Sequence, residues 1–378
     1  LVRIDFVARV NFFWTVWDII CLLWTKAVPH YILKEKRFMR SILNIQKRLL
    51  PDLMEVMQKR YQILQYIKFM QPVGRRSLAL SLHMTERVVR SEVEFLKEQH
   101  LIDVHSSGMS LSQDGIDTLE RLDAVMREIS DVDTLEKQLQ QKLQVKNIIV
   151  VPGNSDTSPW VKAELGKAAA QCIKKLLTGQ NIIAVTGGTT MASVAEMLTP
   201  VPANIDILFV PARGGLGEDV QNQANTIIAK MAEKMGSEYR LLYVPDQVSD
   251  ESYSTLIKEP SIKEVISLIQ HADIVVHGIG EAATMAKRRN TSEAIMKKIK
   301  DGNAVGEAFG YYFNETGEIV HKVQTVGIQL DHLDHAKDIV AVAGGTSKAK
   351  AIHAYMKRAP DNTILITDEA VAIQLLKG

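Results

Sequence analysis

Hydrophobic positions fall into two regimes along this chain. Between Pro51 and Met70, apolar residues recur at Leu53, Val56, Met57, Ile63, Leu64 and Ile67, the three-and-four spacing of a helix, and Pro72 and Gly74 end it. A short helical stretch through Leu78 and Leu82 follows, then a turn at His83 and Met84. In TERVVRSEVEFLKEQ, Val88, Val89, Val93 and Leu96 share one face, and Thr85 is placed to cap the first turn with its hydroxyl. LIDVHSSGMSLSQDG reads as two short strands around Ser107 and Gly108. From Ile116 to Val145 apolar residues continue at intervals of three or four without Pro or Gly, which predicts one linking helix with a seam suited to pairing two subunits. Beyond Lys146 the period changes. The runs NIIVV, NIIAV, IDILFV, RLLYV, DIVVHGIG, DIVAVAGG and NTILITD alternate with helical stretches, the pattern of a parallel sheet with helices on both faces.

These regimes divide the 378 residues into a small helical head over 39–114, a linking and oligomerising helix over 115–146, and a large α/β domain over 147–378. Residues 1–38 stand apart. They carry three of the four tryptophans, and their apolar run from Val10 to Trp24 is interrupted by Asp18 and falls short of the ~20 residues that span a bilayer. The segment is read as a non-native or disordered extension, with Met39 as the natural start and no membrane role. Two cysteines, Cys21 and Cys172, support neither a disulfide framework nor a zinc site, and a cytoplasmic setting is expected.

Net charge is +1, which gives no general attraction to polyanions, but its distribution is uneven. The stretch from Met39 to His105 holds 11 Lys and Arg against 7 Asp and Glu, whereas residues 106–378 hold 28 against 34. A basic helix–turn–helix followed by two strands reads as a winged helix-turn-helix for double-stranded operator DNA. Thr85, Arg87, Arg90 and Ser91 on the second helix are then expected near bases or phosphates, and Arg75 and Arg76 near phosphates. The alternative is a helical protein-interaction domain whose arginines solvate a surface; the local charge and the strand pair favour DNA.

In the large domain, ligand chemistry should lie where strands run into helices. TGGTT at Thr186–Thr190 offers backbone amides, hydroxyls and the positive end of a helix, a phosphate-binding combination. PARGGLG brings Arg213, GEDVQNQANTI brings Gln223 and Asn225, HGIGEAATMAKRRN brings Gly278, Gly280, Lys287, Arg288 and Arg289, and AGGTSKAKA repeats the Gly-Gly-Thr design with Ser347 and Lys348. None of these is a nucleotide fingerprint, so a small phosphorylated ligand is expected and no cofactor or metal. Because both Gly-Gly-Thr turns end strands on one sheet edge, they should converge on a single phosphate, with a second phosphate left to Arg213 or Arg288. His277, Glu281, Glu307 and Asp368 could instead serve a sugar-phosphate isomerase or deaminase as acid or base. No nucleophile elbow accompanies them.

TGGTT, PARGGLGEDVQNQANTI, HGIGEA, RRNT, EAFGYYFN and AVAGGTSKA together with the head closely resemble the SorC/DeoR-type transcriptional regulators, in the branch that controls glycolytic operons, from about Met39 to the end. The resemblance implies a non-enzymatic repressor. Its effector domain should share the fold of sugar-phosphate isomerases and deaminases, with fructose 1,6-bisphosphate as inducer and a dimer or tetramer on DNA. It implies effector contacts at Gly187, Gly188, Thr189, Thr190, Arg213, Gln223, Arg288, Glu307 and Lys348, and makes Glu307 a hydroxyl acceptor. Residues 1–38 have no counterpart in it.

Overall fold

The computed structural model describes residues 48–377 except 83 and 216–218, together with residues 42, 45 and 46. The expectations for residues 1–38, Met39, Cys21, His83 and the 216–218 part of the Arg213 loop lie outside the described residues.

The first helical pattern forms α1 (Pro51–Met70). A short α2 (Arg75–Ser81) and α3 (Glu86–Glu98) follow, and the Thr85 hydroxyl accepts from the Val88 amide at 3.3 Å, so the expected cap is present. Strands β1 (Ile102–His105) and β2 (Gly108–Leu111) pair antiparallel, and Val73 bridges to Met109 beside them. Ile63, Ile67, Leu78, Val89, Leu96 and Leu119 are buried, at positions that the helical spacing places inward, and Ile102 and Met109 of the strand pair are buried with them.

The expected single linking helix is two helices, α4 (Gln113–Ile129) and α5 (Val132–Leu143). Asp131 between them adopts φ 51°, a left-handed conformation that Asp tolerates, so the chain turns without Gly or Pro. Val132 and Leu139 are buried in the core of the large domain, and Arg127 donates to the Val150 carbonyl at 3.1 Å and pairs with Glu136 at 3.0 Å. That part of the seam covers its own chain. Three-and-four spacing cannot distinguish burial against a domain from burial against a partner.

The remaining pattern builds a seven-stranded sheet in the order β3-β13-β12-β7-β4-β5-β6, with neighbouring strands parallel. Its strands are β3 (Asn147–Val151), β4 (Gln180–Val185), β5 (Asp206–Pro211), β6 (Glu238–Tyr239), β7 (Ile274–Gly278), β12 (Asp338–Val342) and β13 (Thr363–Asp368). Helices α6 (Pro159–Leu176), α7 (Thr189–Met197), α8 (Ala224–Met235), α9 (Asp250–Leu256), α10 (Pro260–Gln270), α11 (Ala282–Arg288), α12 (Glu293–Asp301), α13 (Ala349–Met356) and α14 (Glu369–Lys377) complete the domain. The run RLLYV is not a strand: β6 ends at Tyr239, and Asn225 clamps Leu242 through its amide and carbonyl at 3.2 and 3.0 Å. Asn225 therefore serves the backbone rather than a ligand hydroxyl.

The strand pattern missed a second sheet, antiparallel, in the order β11-β10-β9-β8, from β8 (Gly280–Glu281), β9 (Ala304–Ala308), β10 (Tyr311–Asn314) and β11 (Ile319–Lys322). Phe309 and Gly310 turn β9 into β10 with φ of 54° and 87°, the positive pair that a tight two-residue hairpin requires. This places Glu307 opposite both Tyr312 and Gly280.

Candidate functional site

In the large sheet β12, β7, β4 and β5 are consecutive neighbours and parallel, so their carboxyl ends and the loops that follow lie side by side. A cavity of about 360 Å³ opens there. Gly187, Gly188, Thr189, Thr190, Arg213, Arg288, Glu307 and Lys348 all line it, joined by Thr186, Met191, Gly280, Glu281, Thr284, Phe309 and Ser347. Gln223 does not line it among the described residues; it precedes α8, with its side-chain oxygen 3.6 Å from where a Cβ on Gly215 would stand.

The two Gly-Gly-Thr turns converge, but they are unlike in detail. Gly188 has φ 114°, nothing lies within 4 Å of where its Cβ would be, and α7 starts there without a side-chain cap. Its first turn thus presents helix-terminal amides and two threonines to open space, an arrangement that suits a phosphate. The second turn is already filled. The Gly345 amide donates to Asp368 at 2.7 Å, and Asp156 accepts from the Ser347 amide at 2.8 Å, the Ser347 hydroxyl at 3.0 Å and the Thr346 hydroxyl at 3.1 Å. A Cβ on Gly345 would stand 2.2 Å from the Asp156 carboxylate, so this glycine admits an internal carboxylate. What the second turn gives the cavity is Ser347 and Lys348.

Beneath the cavity lies an internal ionic group. Arg213 pairs with Asp246 at 2.7 Å, Arg289 donates to Glu307 at 2.7 Å and to the Tyr312 hydroxyl at 2.9 Å, and the Gly310 amide donates to Glu307 at 2.6 Å. All four charged side chains are buried. Burial would raise the Glu307 carboxyl, but the Arg289 and Arg213 guanidinium groups outweigh it and hold Glu307 below the usual carboxylate range. Glu307 is therefore held as an anion, able to accept further hydrogen bonds. The adjacent basic residues divide: Arg289 is buried in this group, Arg288 lines the cavity, and Lys287 is exposed. Asp246 carried no sequence signal, because its role depends on a loop that meets Arg213 only in three dimensions.

The remaining acid–base candidates are held by the fold. Asp368 is fully buried and accepts from Ser155 through both amide and hydroxyl, from Gly345 and from Val371. Glu281 caps α11 through the Ala283 and Thr284 amides at 3.0 and 2.8 Å. His277 lies 3.0 Å from the Gly278 carbonyl and 3.0 Å from the Tyr355 hydroxyl. Among the described residues no group of His, Cys, Asp and Glu is arranged to hold a metal.

On the head, Arg87, Arg90 and Ser91 are exposed along one face of α3 while Val89, Val93 and Leu96 are buried on the other. Arg75 and Arg76 are exposed at the start of α2, and Arg76 lies 3.9 Å from Glu86, a weak pairing in solvent. Thr85 is partly committed to its cap. No helix among the described residues is long and apolar enough to cross a membrane.

The Sugar-bind model, a sugar-binding domain, matches residues 127–377, and the CggR N-terminal DNA binding domain matches residues 56–126. The chain is 61% identical to a central glycolytic genes regulator of Priestia megaterium over 90% of this chain and 99% of that protein. It is 57% identical to one of Bacillus subtilis over 90% and 99%. Among solved structures, a SorC family transcriptional regulator from Enterococcus faecalis is 50% identical, covers 64% of this chain and 99% of its own, and superposes with a TM-score of 0.62.

Proposed function

The chain belongs to the SorC-type regulators that join a CggR N-terminal DNA-binding domain to a sugar-binding domain, and from that membership we propose that it represses a glycolytic operon and is released by fructose 1,6-bisphosphate. The observation that carries the effector half is the cavity where the open TGGTT turn meets Arg288 and Lys348. One phosphate sits on the amides and hydroxyls of Thr189 and Thr190, the Gly188 amide being held by the Asn222 carbonyl at 2.7 Å. Arg213 is committed to Asp246, so in place of the expected sharing of one phosphate by both Gly-Gly-Thr turns, Arg288 and Lys348 take the second phosphate, and Glu307 accepts from a sugar hydroxyl between them.

The head acts as a winged helix-turn-helix. Arg87, Arg90 and Ser91 enter the major groove, Arg75 and Arg76 hold phosphates, and two copies read paired half-sites as a dimer or tetramer. The effector favours the arrangement in which the heads are misplaced for that spacing. The relatives' names and the internal commitments of Asp368, Glu281 and His277 favour regulation over catalysis.

The test is an operator-binding titration of the full chain at fixed salt, with and without a panel of glycolytic phosphates. Fructose 1,6-bisphosphate should weaken binding most, and Arg87→Ala and Arg90→Ala should each cost about 1–3 kcal/mol of operator affinity. Binding indifferent to every phosphate, or steady turnover of any of them, would defeat the reading.

A further inference from the structure

Helix α6 packs against α7, which follows the first turn, and against the second turn itself. A Cβ on Gly166 would stand 2.6 Å from the Ser193 carbonyl of α7, and one on Gly344 would stand 2.7 Å from Leu165 of α6. The Ser193 hydroxyl also donates to the Lys162 carbonyl at 3.1 Å. One turn before Gly166 and Ser193 are Lys162 and Thr189, and Thr189 lines the cavity. Side chains on a helix lean toward its amino end, which aims Lys162 along the side of α6 where Asp156 docks on Ser347.

Among the described residues nothing compensates this lysine. It is half-buried, and its ammonium has no hydrogen bond or ion pair among the described residues. It stands in the first turns of α6, where the helix dipole disfavours a cation, and that first turn holds no acidic residue. Lys167, farther along the same helix, lies within 3.4 Å of Glu164 and 3.9 Å of Asp123. Burial, then the charges of Lys348 and Arg288, hold Lys162 below the ordinary lysine range, and Lys348 is itself lowered by burial despite Asp156 beside it. Lys348 and Arg288 thus oppose the Lys162 charge at one end of the site. A half-buried cation set beside two others points to an anionic ligand that offsets them.

We propose that Lys162 is a third cation of the ligand site, acting by its charge from behind Arg288 and Lys348 on one phosphate group of a bound sugar phosphate. The inference rests on the sugar-phosphate reading of the cavity and adds to it a residue that does not line the cavity. Lys162 is a positioning residue: it raises the potential at which the lining cations meet the phosphate.

Calorimetric titration of the full chain with fructose 1,6-bisphosphate, at about 50 and about 300 mM salt, tests this on the parent, Lys162→Met, Lys162→Gln and Lys162→Arg. The two neutral variants should bind about tenfold more weakly at low salt, the gap should narrow at high salt, and Lys162→Arg should stay within about threefold of the parent. Parent-like affinity in a folded neutral variant overturns the assignment. So does an equal loss in Lys162→Arg, which would mark a purely steric role. Should the parent bind no sugar phosphate, the functional reading fails first, and inorganic phosphate then decides on Lys162: binding by the parent that weakens in Lys162→Gln supports it, and equal binding overturns it.

Discussion

His277 offers the most quantitative test of how the core beneath the cavity is held. The ring is fully buried on β7, one residue before Gly278 of the cavity wall. A carbonyl can only accept, so Nδ1 carries the proton toward Gly278 and Nε2 accepts from the Tyr355 hydroxyl. Phe309 packs on the ring at 4.5 Å between centroids, and Glu307 is the anion whose charge reaches it. Burial outweighs the Gly278 bond and the Glu307 charge and pushes the imidazole down from 6.5 to about 4. A second proton on Nε2 would also face the Tyr355 oxygen, whose own proton must rotate away.

The unfolded chain therefore binds a proton in a range where the folded chain does not. That contribution to stability is complete above pH 6.5 and is lost as pH falls toward 4. Between pH 7 and pH 4.5 the linkage amounts to about 2–3 kcal/mol for this one group. Glu307 has the opposite origin and a different window: its pKa lies below the usual value, so its contribution is lost only at more acidic pH. Urea unfolding of the parent and His277→Gln, followed by circular dichroism at pH 7.0, 5.5 and 4.5, isolates the term. Gln keeps a donor and an acceptor but cannot titrate. The variant should start less stable at pH 7, and the stability difference should shrink by about 2–3 kcal/mol by pH 4.5. Parallel loss in the two proteins across that range would refute the reasoning.

Two further outcomes follow from the packing around the site. Asp246→Ala leaves Arg213 and Arg289 short of a buried anion, and should cost about 3–5 kcal/mol in urea unfolding, far beyond a surface substitution; a loss under about 1 kcal/mol would mean that the group is open to water. Gly188→Ala should cost about 1–3 kcal/mol from backbone strain alone, and Gly345→Ala more, because the methyl group must also displace Asp156; equal losses in the same unfolding assay would contradict the difference between the turns.

The head and the parallel sheet were legible because each rests on a local period. Val89, Val93 and Leu96 fall on one helical face in sequence and in space, and the Thr85 cap is a three-residue contact. The apolar runs that end in TGGTT and AGGTSK needed only the rule that ligands meet the carboxyl ends of parallel strands. The second sheet was less legible because its strands are short, and one of them, Gly280–Glu281, has only two residues.

The sequence by itself determined the alternation of strand and helix, the exposed basic face of α3, and the chemistry of the loops, since these depend on side-chain period and residue type within a few positions. Tertiary structure decided how each charge is held. Arg213 and Arg288 read alike in sequence and both line the cavity, yet Arg213 is buried against Asp246 while Arg288 is exposed. Two Gly-Gly-Thr turns read alike, yet Asp156 and Asp368 fill one and leave the other open. Lys162 carried no motif at all. A charge is defined by what stands within a few ångströms of it, and those neighbours come from segments tens to hundreds of residues away, which no local pattern records.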